Sequence, residues 1–281
     1  MSYDDLTHIR VEREAGVVWA TLDCPPMNLL GAGLFADLDR LTRTLASDEE
    51  ARVLVLRSAN PDFFIAHGDV EGIVAMPEQA APPAEALPFT HETLERLRTL
   101  PVVSIAQIEG FARGGGSEVS LACDMRFATR GKAVFGQPEV ALGILPGAGG
   151  TARLTRMLGR ARACEIILGC DDFSAEEAER LGWINKALPA QEIGAYVDAL
   201  ARRIATFPAL ALAEAKGVIS ASASGDMETA LLLEQQAFDR LIANPASERM
   251  PRMRRFLELG CQTPEGERNI GADCTKLATS S

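Results

Sequence analysis

At 281 residues, 47% apolar and 24% charged, the chain has ordinary globular usage and enough length to bury a core, as one large or two modest domains, which excludes general disorder. Its 28 Lys and Arg against 39 Asp and Glu give a formal charge of -11, which argues against a nucleic-acid partner, because phosphate binding needs clustered cations. An anionic small molecule needs only a few local donors and is not excluded. The acidic start MSYDDLTHIR lacks the apolar region of a signal peptide, and no apolar run approaches the roughly 20 residues of a membrane helix. The six cysteines (Cys24, Cys123, Cys164, Cys170, Cys261 and Cys274) form no C-x-x-C pair and no zinc spacing. Cys123, Cys164 and Cys170 sit in apolar surroundings, where a reduced cysteine acts as a small hydrophobe. A soluble, reduced, cytoplasmic protein with neither a metal nor a membrane partner is expected.

HIRVER and GVVWATL (8–13 and 16–22) are β-rich segments joined by Ala15-Gly16, a hairpin signal. Pro25-Pro26 ends that region, and from Gly33 the spacing of Leu34, Leu38, Leu41 and Leu45 predicts a helix. RVLVLRS (52–58) is apolar enough for a strand buried on both faces. The stretch MPEQAAPPAEALP, with Pro77, Pro82, Pro83 and Pro88, reads as a surface excursion and a lid candidate. HETLERLRTL predicts a helix stopped by Pro101, VVSIAQI a strand, SEVSLACD a short helix and MRFAT a strand. From Gly149 the character turns helical through GGTARLTRMLG, ARACEIILG and SAEEAERLG, the last opened by a Ser174–Glu177 capping box. INKAL is the last strand expected. Beyond residue 190 the pattern is helical, with Ile193, Tyr196, Leu200 and Ile204 on one face of a helix ending before Pro208. A boundary near 195 divides the chain into a mixed α/β core, 1–195, and a helical C-terminal region, 196–281. The polar end of that region, GCQTPEGERNIGADCTKLATSS, is expected to be poorly ordered.

Two glycine-rich segments compete for a function. Gly147-Ala148-Gly149-Gly150-Thr151-Ala152 fits the dinucleotide pattern G-x-G-x-x-A, with a strand-like VALGIL before it and acidic Asp171 and Asp172 roughly 20 residues on. Against it, Pro146 interrupts the approach and no second mononucleotide half follows. A phosphate loop fails because Gly150 stands where Lys is required, and a nucleophilic triad fails for want of a G-x-S-x-G elbow. In GFARGGGSEVSLACD, by contrast, three glycines precede a helix start. Unpaired N–H groups there lie at the positive end of the helix dipole, and glycine lets a ligand approach them closely. An oxygen acquiring negative charge would be stabilised at that point. Glu118 stands a few residues into this helix, and Gln137-Pro138-Glu139 supplies a second carboxylate from a loop. Two carboxylates and an oxyanion donor are the parts needed to add water beside a carbonyl.

In that combination, SIAQIEGFARGGGSEVSLACDMRFAT, AVFGQPEVALGILPGAGGTARLTRMLGRARACEIILG and SAEEAERLGWINKALP, taken in order, resemble the enoyl-CoA hydratase/isomerase (crotonase) superfamily. FFIAHGDVEGI is similar to that family's first oxyanion segment and LDCPPMNLL to its coenzyme A loop; the likeness covers about residues 7 to 240. The resemblance implies an α/β spiral core of stacked ββα units, a C-terminal helical region for oligomerisation and lid, and a homotrimer or hexamer. It implies an acyl-CoA thioester substrate with coenzyme A as part of it, so no separate cofactor and no metal. It places the thioester carbonyl on the N–H groups of Gly68 and Gly115. Glu139 would exchange the proton at the α-carbon, and Glu118 would hold or activate water for the β-carbon. Ala66, His67, Asp69, Gly114, Pro138 and Gly147 would line the substrate. The implied activity is hydration of a 2-trans-enoyl-CoA. Isomerisation or carbon–carbon cleavage at the same enolate, non-catalytic acyl-CoA binding, and the NAD-dependent oxidoreductase stand as alternatives. The chain departs from the family pattern at His67, usually a small residue, at Glu109, commonly Asn, and at Arg113, usually apolar, which reads as a surface ion-pair partner. The segment after Asp69 also lacks a lysine often found there, which leaves coenzyme A phosphate contacts to other residues.

Overall fold

The computed structural model describes residues 3–78 and 84–278, so Pro82 and Pro83 of the lid candidate lie outside the described residues. The chain opens with the antiparallel hairpin of β1 (Ile9–Glu14) and β2 (Val17–Leu22), whose turn residues Ala15 and Gly16 both take positive φ, 49° and 79°. Such a turn matches the twist of the flanking strands. Then follow α1 (Ala32–Ala46), β3 (Val53–Ser58), β4 (Phe63–Ile65), α2 (Val70–Val74), α3 (Phe89–Thr99), β5 (Val103–Ile108), β6 (Phe111–Arg113) and α4 (Gly115–Ala122). The next elements are β7 (Met125–Thr129), β8 (Val134–Gly136), α5 (Gly150–Leu158), α6 (Arg160–Gly169), β9 (Phe173–Ser174), α7 (Ala175–Leu181) and β10 (Lys186–Leu188). The remainder is helical: α8 (Ile193–Ala205), α9 (Ala209–Ser222), α10 (Met227–Ala243), α11 (Arg249–Glu258), and the short α12 (Pro264–Glu267) and α13 (Ile270–Asp273). In the tail expected to be poorly ordered, residues 264–277 include short helical turns, and residues 279–281 lie outside the described residues.

Two sheets organise these strands. The larger has the order β1-β2-β3-β5-β7-β10 and the smaller β4-β6-β8-β9. From β3 to β8 the chain alternates between them, leaving one strand in each sheet before it turns back through helix or loop. That is the stacked ββα spiral expected from the resemblance, and the pairings β3–β5–β7 and β4–β6–β8 are all parallel. The long strands read as unbroken apolar runs because both faces of their sheet are buried. Val18, Ala20, Leu22, Leu54 and Leu56 face the main core with α1, while Val17, Trp19, Val53, Val55, Ile105 and Phe127 face α8 through Ile193, Val197 and Ala201. The helical stripe expected from Ile193, Tyr196, Leu200 and Ile204 lies on this contact.

The smaller sheet is locked by aromatic packing. Trp183, fully buried, places its ring 5.6 Å from Phe135 of β8 and 5.8 Å from Phe173 of β9. Its carbonyl accepts from Nε of buried Arg126 at 2.9 Å, and the same guanidinium donates to Ser120 O (3.1 Å) and Cys123 O (2.7 Å). Arg126 thereby satisfies the Cys123 carbonyl just past the C-terminal end of α4 and adds a second donor to that of Ser120, which already accepts from Cys123 N. The Trp183 Nε1–H has no hydrogen-bond partner among the described residues. Trp183→Ala should therefore lower stability by about 3–5 kcal/mol through the cavity it leaves. Trp183→Phe keeps a ring in the cluster and removes the unpaired donor, so it should cost about 1–2 kcal/mol or less. Urea unfolding of both variants checks the difference; equal losses would contradict this packing.

Candidate active site

The three missing side chains at Gly114, Gly115 and Gly116 have three separate causes. Gly114 follows β6 with φ 47° and ψ −122°, a backbone open in practice only to glycine. A Cβ there would lie 2.6 Å from Glu139 Oε1. A Cβ on Gly115 would lie 2.8 Å from Leu30 Cδ2 and 3.4 Å from the Gly68 nitrogen. One on Gly116 would lie 2.0 Å from the Ile65 carbonyl oxygen, so α4 is seated directly on the end of β4.

Gly68 owes its position to a segment that works as an extra strand. Leu30 N–H donates to His67 O at 2.9 Å, Asp69 N–H donates to Leu30 O at 3.2 Å, and Ala66 N–H donates to Met27 O at 3.2 Å. In this parallel bridge Leu30 bonds the peptides either side of Gly68 and leaves the Gly68 N–H itself without a hydrogen-bond partner among the described residues. Gly115, the first residue of α4, has the same open N–H. Asn28, buried and at φ 53°, fixes the supporting loop: its Oδ1 accepts from Cys24 N (2.7 Å), and its Nδ2 donates to Ser58 Oγ (2.8 Å) and Phe64 O (2.9 Å). Asn28 was not singled out from the sequence. Its only signal is its place in a proline-rich turn, which does not reveal a buried amide.

Glu118 lies one turn along α4 from Gly115 and so on the same face. It is 3% exposed, and its Oε1 accepts from Ala148 N (2.7 Å) and Gly150 N (2.8 Å). Burial raises its proton affinity above the usual carboxylate range, while the two N–H groups and the charge of Arg153 hold it back. Glu139 starts a 3-10 turn, Glu139–Leu142, after β8 and is 9% exposed. Burial, with the Glu118 charge adding to it, pushes its pKa up to about 7, against a smaller opposing hydrogen bond to its own backbone. Gln137, with its amide nitrogen turned to this carboxylate, donates to Oε2 at 3.0 Å and Oε1 at 3.3 Å, and its oxygen accepts from Ser117 Oγ at 3.3 Å. Two neighbouring carboxyls with unequal support are driven apart in proton affinity.

The other expected site residues take varied places. Pro138 is half-buried before Glu139, and Gly147 is exposed with its N–H free of partners among the described residues. Ala66 is buried and joins the two glycine loops by accepting from Arg113 N at 3.2 Å. His67 has its Cβ 3.8 Å from where a Gly114 Cβ would stand, and its Nδ1 donates to Gly68 O at 2.8 Å. The Asp69 side chain caps α2, accepting from Glu71 N at 3.1 Å. Beyond Glu118, past Gly149 and Arg153, opens a groove of 590 Å³ walled by α3, α4, α5 and α9.

The dinucleotide reading fails on two points. VALGIL is a 3-10 turn and loop rather than a strand, and the N–H groups of Ala148 and Gly150, which a pyrophosphate would need, are already taken by Glu118. The anion at the start of α5 is the protein's own. Asp172 pairs with Arg113 at 2.5 Å, the surface ion pair expected for that arginine. Glu109 accepts from Gln107 Nε2 at 2.7 Å.

Comparison with known proteins identifies the family of the chain. A family profile described as enoyl-CoA hydratase/isomerase matches residues 12–262. The chain is 32% identical over 238 residues to a short-chain-enoyl-CoA hydratase of Clostridium acetobutylicum, covering 83% of this chain and 89% of that one. It is 30% identical over 259 residues to a crotonyl-CoA hydratase of Syntrophomonas wolfei, covering 92% and 96%. The crystal structure of an enoyl-CoA hydratase from Bacillus anthracis superposes with a TM-score of 0.81 at 30% identity, over 90% of this chain and 96% of that one. With the profile matched over residues 12–262 and these relatives alike over most of the chain, this chain belongs to the enoyl-CoA hydratase/isomerase family.

Proposed function

We propose that the chain is an enoyl-CoA hydratase that adds water across the double bond of 2-trans-enoyl-CoA thioesters. The observation that carries this reading is the pair of unpartnered N–H groups, Gly68 and Gly115, beside two buried carboxyls of unequal proton affinity. The thioester oxygen accepts from both N–H groups. Glu118, ionised, takes a proton from water as its oxygen bonds to the β-carbon, and the electron pair of the double bond moves onto the thioester oxygen as an enolate. Glu139, protonated, then delivers its proton to the α-carbon, which leaves a 3-hydroxyacyl-CoA. Glu118 ends with one proton more and Glu139 with one fewer, and transfer between the two carboxyls restores the starting state. Donors already oriented toward the developing charge contribute on the order of 3–4 kcal/mol each in comparable oxyanion sites. Positioned proton transfer adds roughly 10²–10⁴-fold.

Exposed apolar residues on the C-terminal helices, among them Leu231, Leu232, Phe238 and Leu257, support assembly into a homotrimer or hexamer. Light scattering measures that state, and a monomer at micromolar concentration would contradict it.

Incubation with crotonyl-CoA should bleach the conjugated-thioester absorbance and yield a product heavier by one water; a product of unchanged mass would indicate isomerisation instead. Glu139→Gln should lower kcat by roughly 10²–10⁴ with KM little changed. Because Glu139 must carry a proton to act, wild-type activity should fall as pH rises past about 7. The residual activity of Glu139→Gln should lack that alkaline fall, and its persistence would remove Glu139 from the acid role.

A further inference from the structure

Between Glu118 and the groove stands one guanidinium that the hydration chemistry does not use. Arg153 lies in the first turn of α5, its side chain 17% exposed. Its Nη1 donates to Ala148 O at 2.9 Å and its Nη2 to Glu95 Oε2 at 3.3 Å. A Cβ on Gly149 would lie 2.0 Å from Nη1, so the guanidinium rests on the 148–150 turn. The N–H groups at both ends of that turn hold the Glu118 carboxylate, Ala148 at 2.7 Å and Gly150 at 2.8 Å. On its far side Glu95, from α3, is also bound by Arg98, with Nη2 at 2.5 Å and Nε at 2.9 Å. The groups run in the order Arg98, Glu95, Arg153, Glu118. Glu139 also interacts with Glu118 from across the site, and His67 lies beyond Gly114, beside Glu139.

We propose that Arg153 is a positioning residue that braces the 148–150 turn and favours the ionised form of Glu118, and that Glu95 tempers it by drawing its charge toward α3. This rests on the hydratase reading, in which Glu118 is the base. Glu95 is paired with Arg153 and carries the opposite charge, so removing Arg153 and removing Glu95 must move Glu118 in opposite directions. Without Arg153 the carboxylate loses that positive charge and one brace of its N–H cradle, and it holds a proton more tightly. Without the charge of Glu95 the guanidinium is less neutralised, and the carboxylate releases its proton more readily.

The test is the pH dependence of kcat/KM for crotonyl-CoA hydration in wild type, Arg153→Met, Arg153→Lys and Glu95→Gln, with circular dichroism confirming folding. On the acid limb, where Glu118 must be ionised, Arg153→Met should shift the midpoint to higher pH and lower kcat/KM below it. Glu95→Gln should shift it down by a smaller amount. Arg153→Lys keeps the charge but not the fork, so it should lower kcat while leaving the limb near its wild-type position. Limbs that stay in place, or move in the same direction in Arg153→Met and Glu95→Gln, would overturn the proposal while wild-type turnover upholds the hydratase reading. Absence of turnover in the wild type would overturn both. If Arg153→Met fails to fold, Glu95→Gln decides alone: a downward shift supports the assignment and an unchanged limb overturns it.

Discussion

The N–H groups of Gly68 and Gly115 lie on adjacent stretches of backbone without partners, and much of the surrounding structure serves to keep them so. An unpaired polar group costs about 1–3 kcal/mol where it is buried, as Gly115 is, and less where it is half-buried, as Gly68 is, so the neighbours must deny both a partner. Leu30 occupies the bonding positions on either side of Gly68, and Asn28 fixes the loop that delivers Leu30. On the second side, Gly114 turns the chain through a conformation closed to other residues, and Gly116 lets α4 sit against the Ile65 carbonyl. Arg126 then donates to carbonyls at the opposite end of α4, so the helix is bonded at its C-terminal end and open at its N-terminal end.

The same economy of hydrogen bonds separates the two carboxyls. Both Glu118 and Glu139 are buried, and burial alone would favour the neutral form of each. Glu118 has two backbone N–H groups and a nearby guanidinium to support its charge. Glu139 has the Gln137 amide beside it but no cation, and burial, with the charge of Glu118 adding to it, pushes it up to about 7. Two carboxyls of different proton affinity therefore come from one residue type, distinguished by what surrounds each. The fold supplies that contrast through the start of α5, whose N–H groups bind an internal anion.

The legible and illegible parts of the sequence divide along a physical line. The long strands and helices were readable because their apolar residues repeat over six residues or more, as in β3 or α1. MRFAT, predicted as a strand over 125–129, is β7 to the residue. The smaller sheet went unread because β4, β6 and β8 have three residues each and β9 has two, too few to display any period. Those strands matter most for the site, since His67-Gly68, Gly114-Gly115 and Gln137-Glu139 each follow the end of one of them. The glycine triplet and the two glutamates could be singled out only because their residue types suggest chemistry, and family resemblance supplied their order. VALGIL misled because alternate apolar residues also suit an exposed 3-10 turn and loop beside a site, where Leu142, Ile144 and Leu145 are exposed. Arg153 and Asn28 gave no sign, because a single polar residue in a helix or turn looks the same whether it is solvated or bonded to buried backbone.

The measurement that bears most directly on the central claim is the vibrational frequency of the thioester carbonyl, read by isotope-edited infrared difference spectroscopy on enoyl-CoA bound to the slow Glu139→Gln protein. Two N–H groups directed at that oxygen draw electron density onto it and weaken the double bond. The account predicts a bound carbonyl stretch clearly below that of the free thioester. A bound carbonyl at the frequency of the free thioester would mean that the open N–H groups of Gly68 and Gly115 are directed elsewhere, and would contradict it.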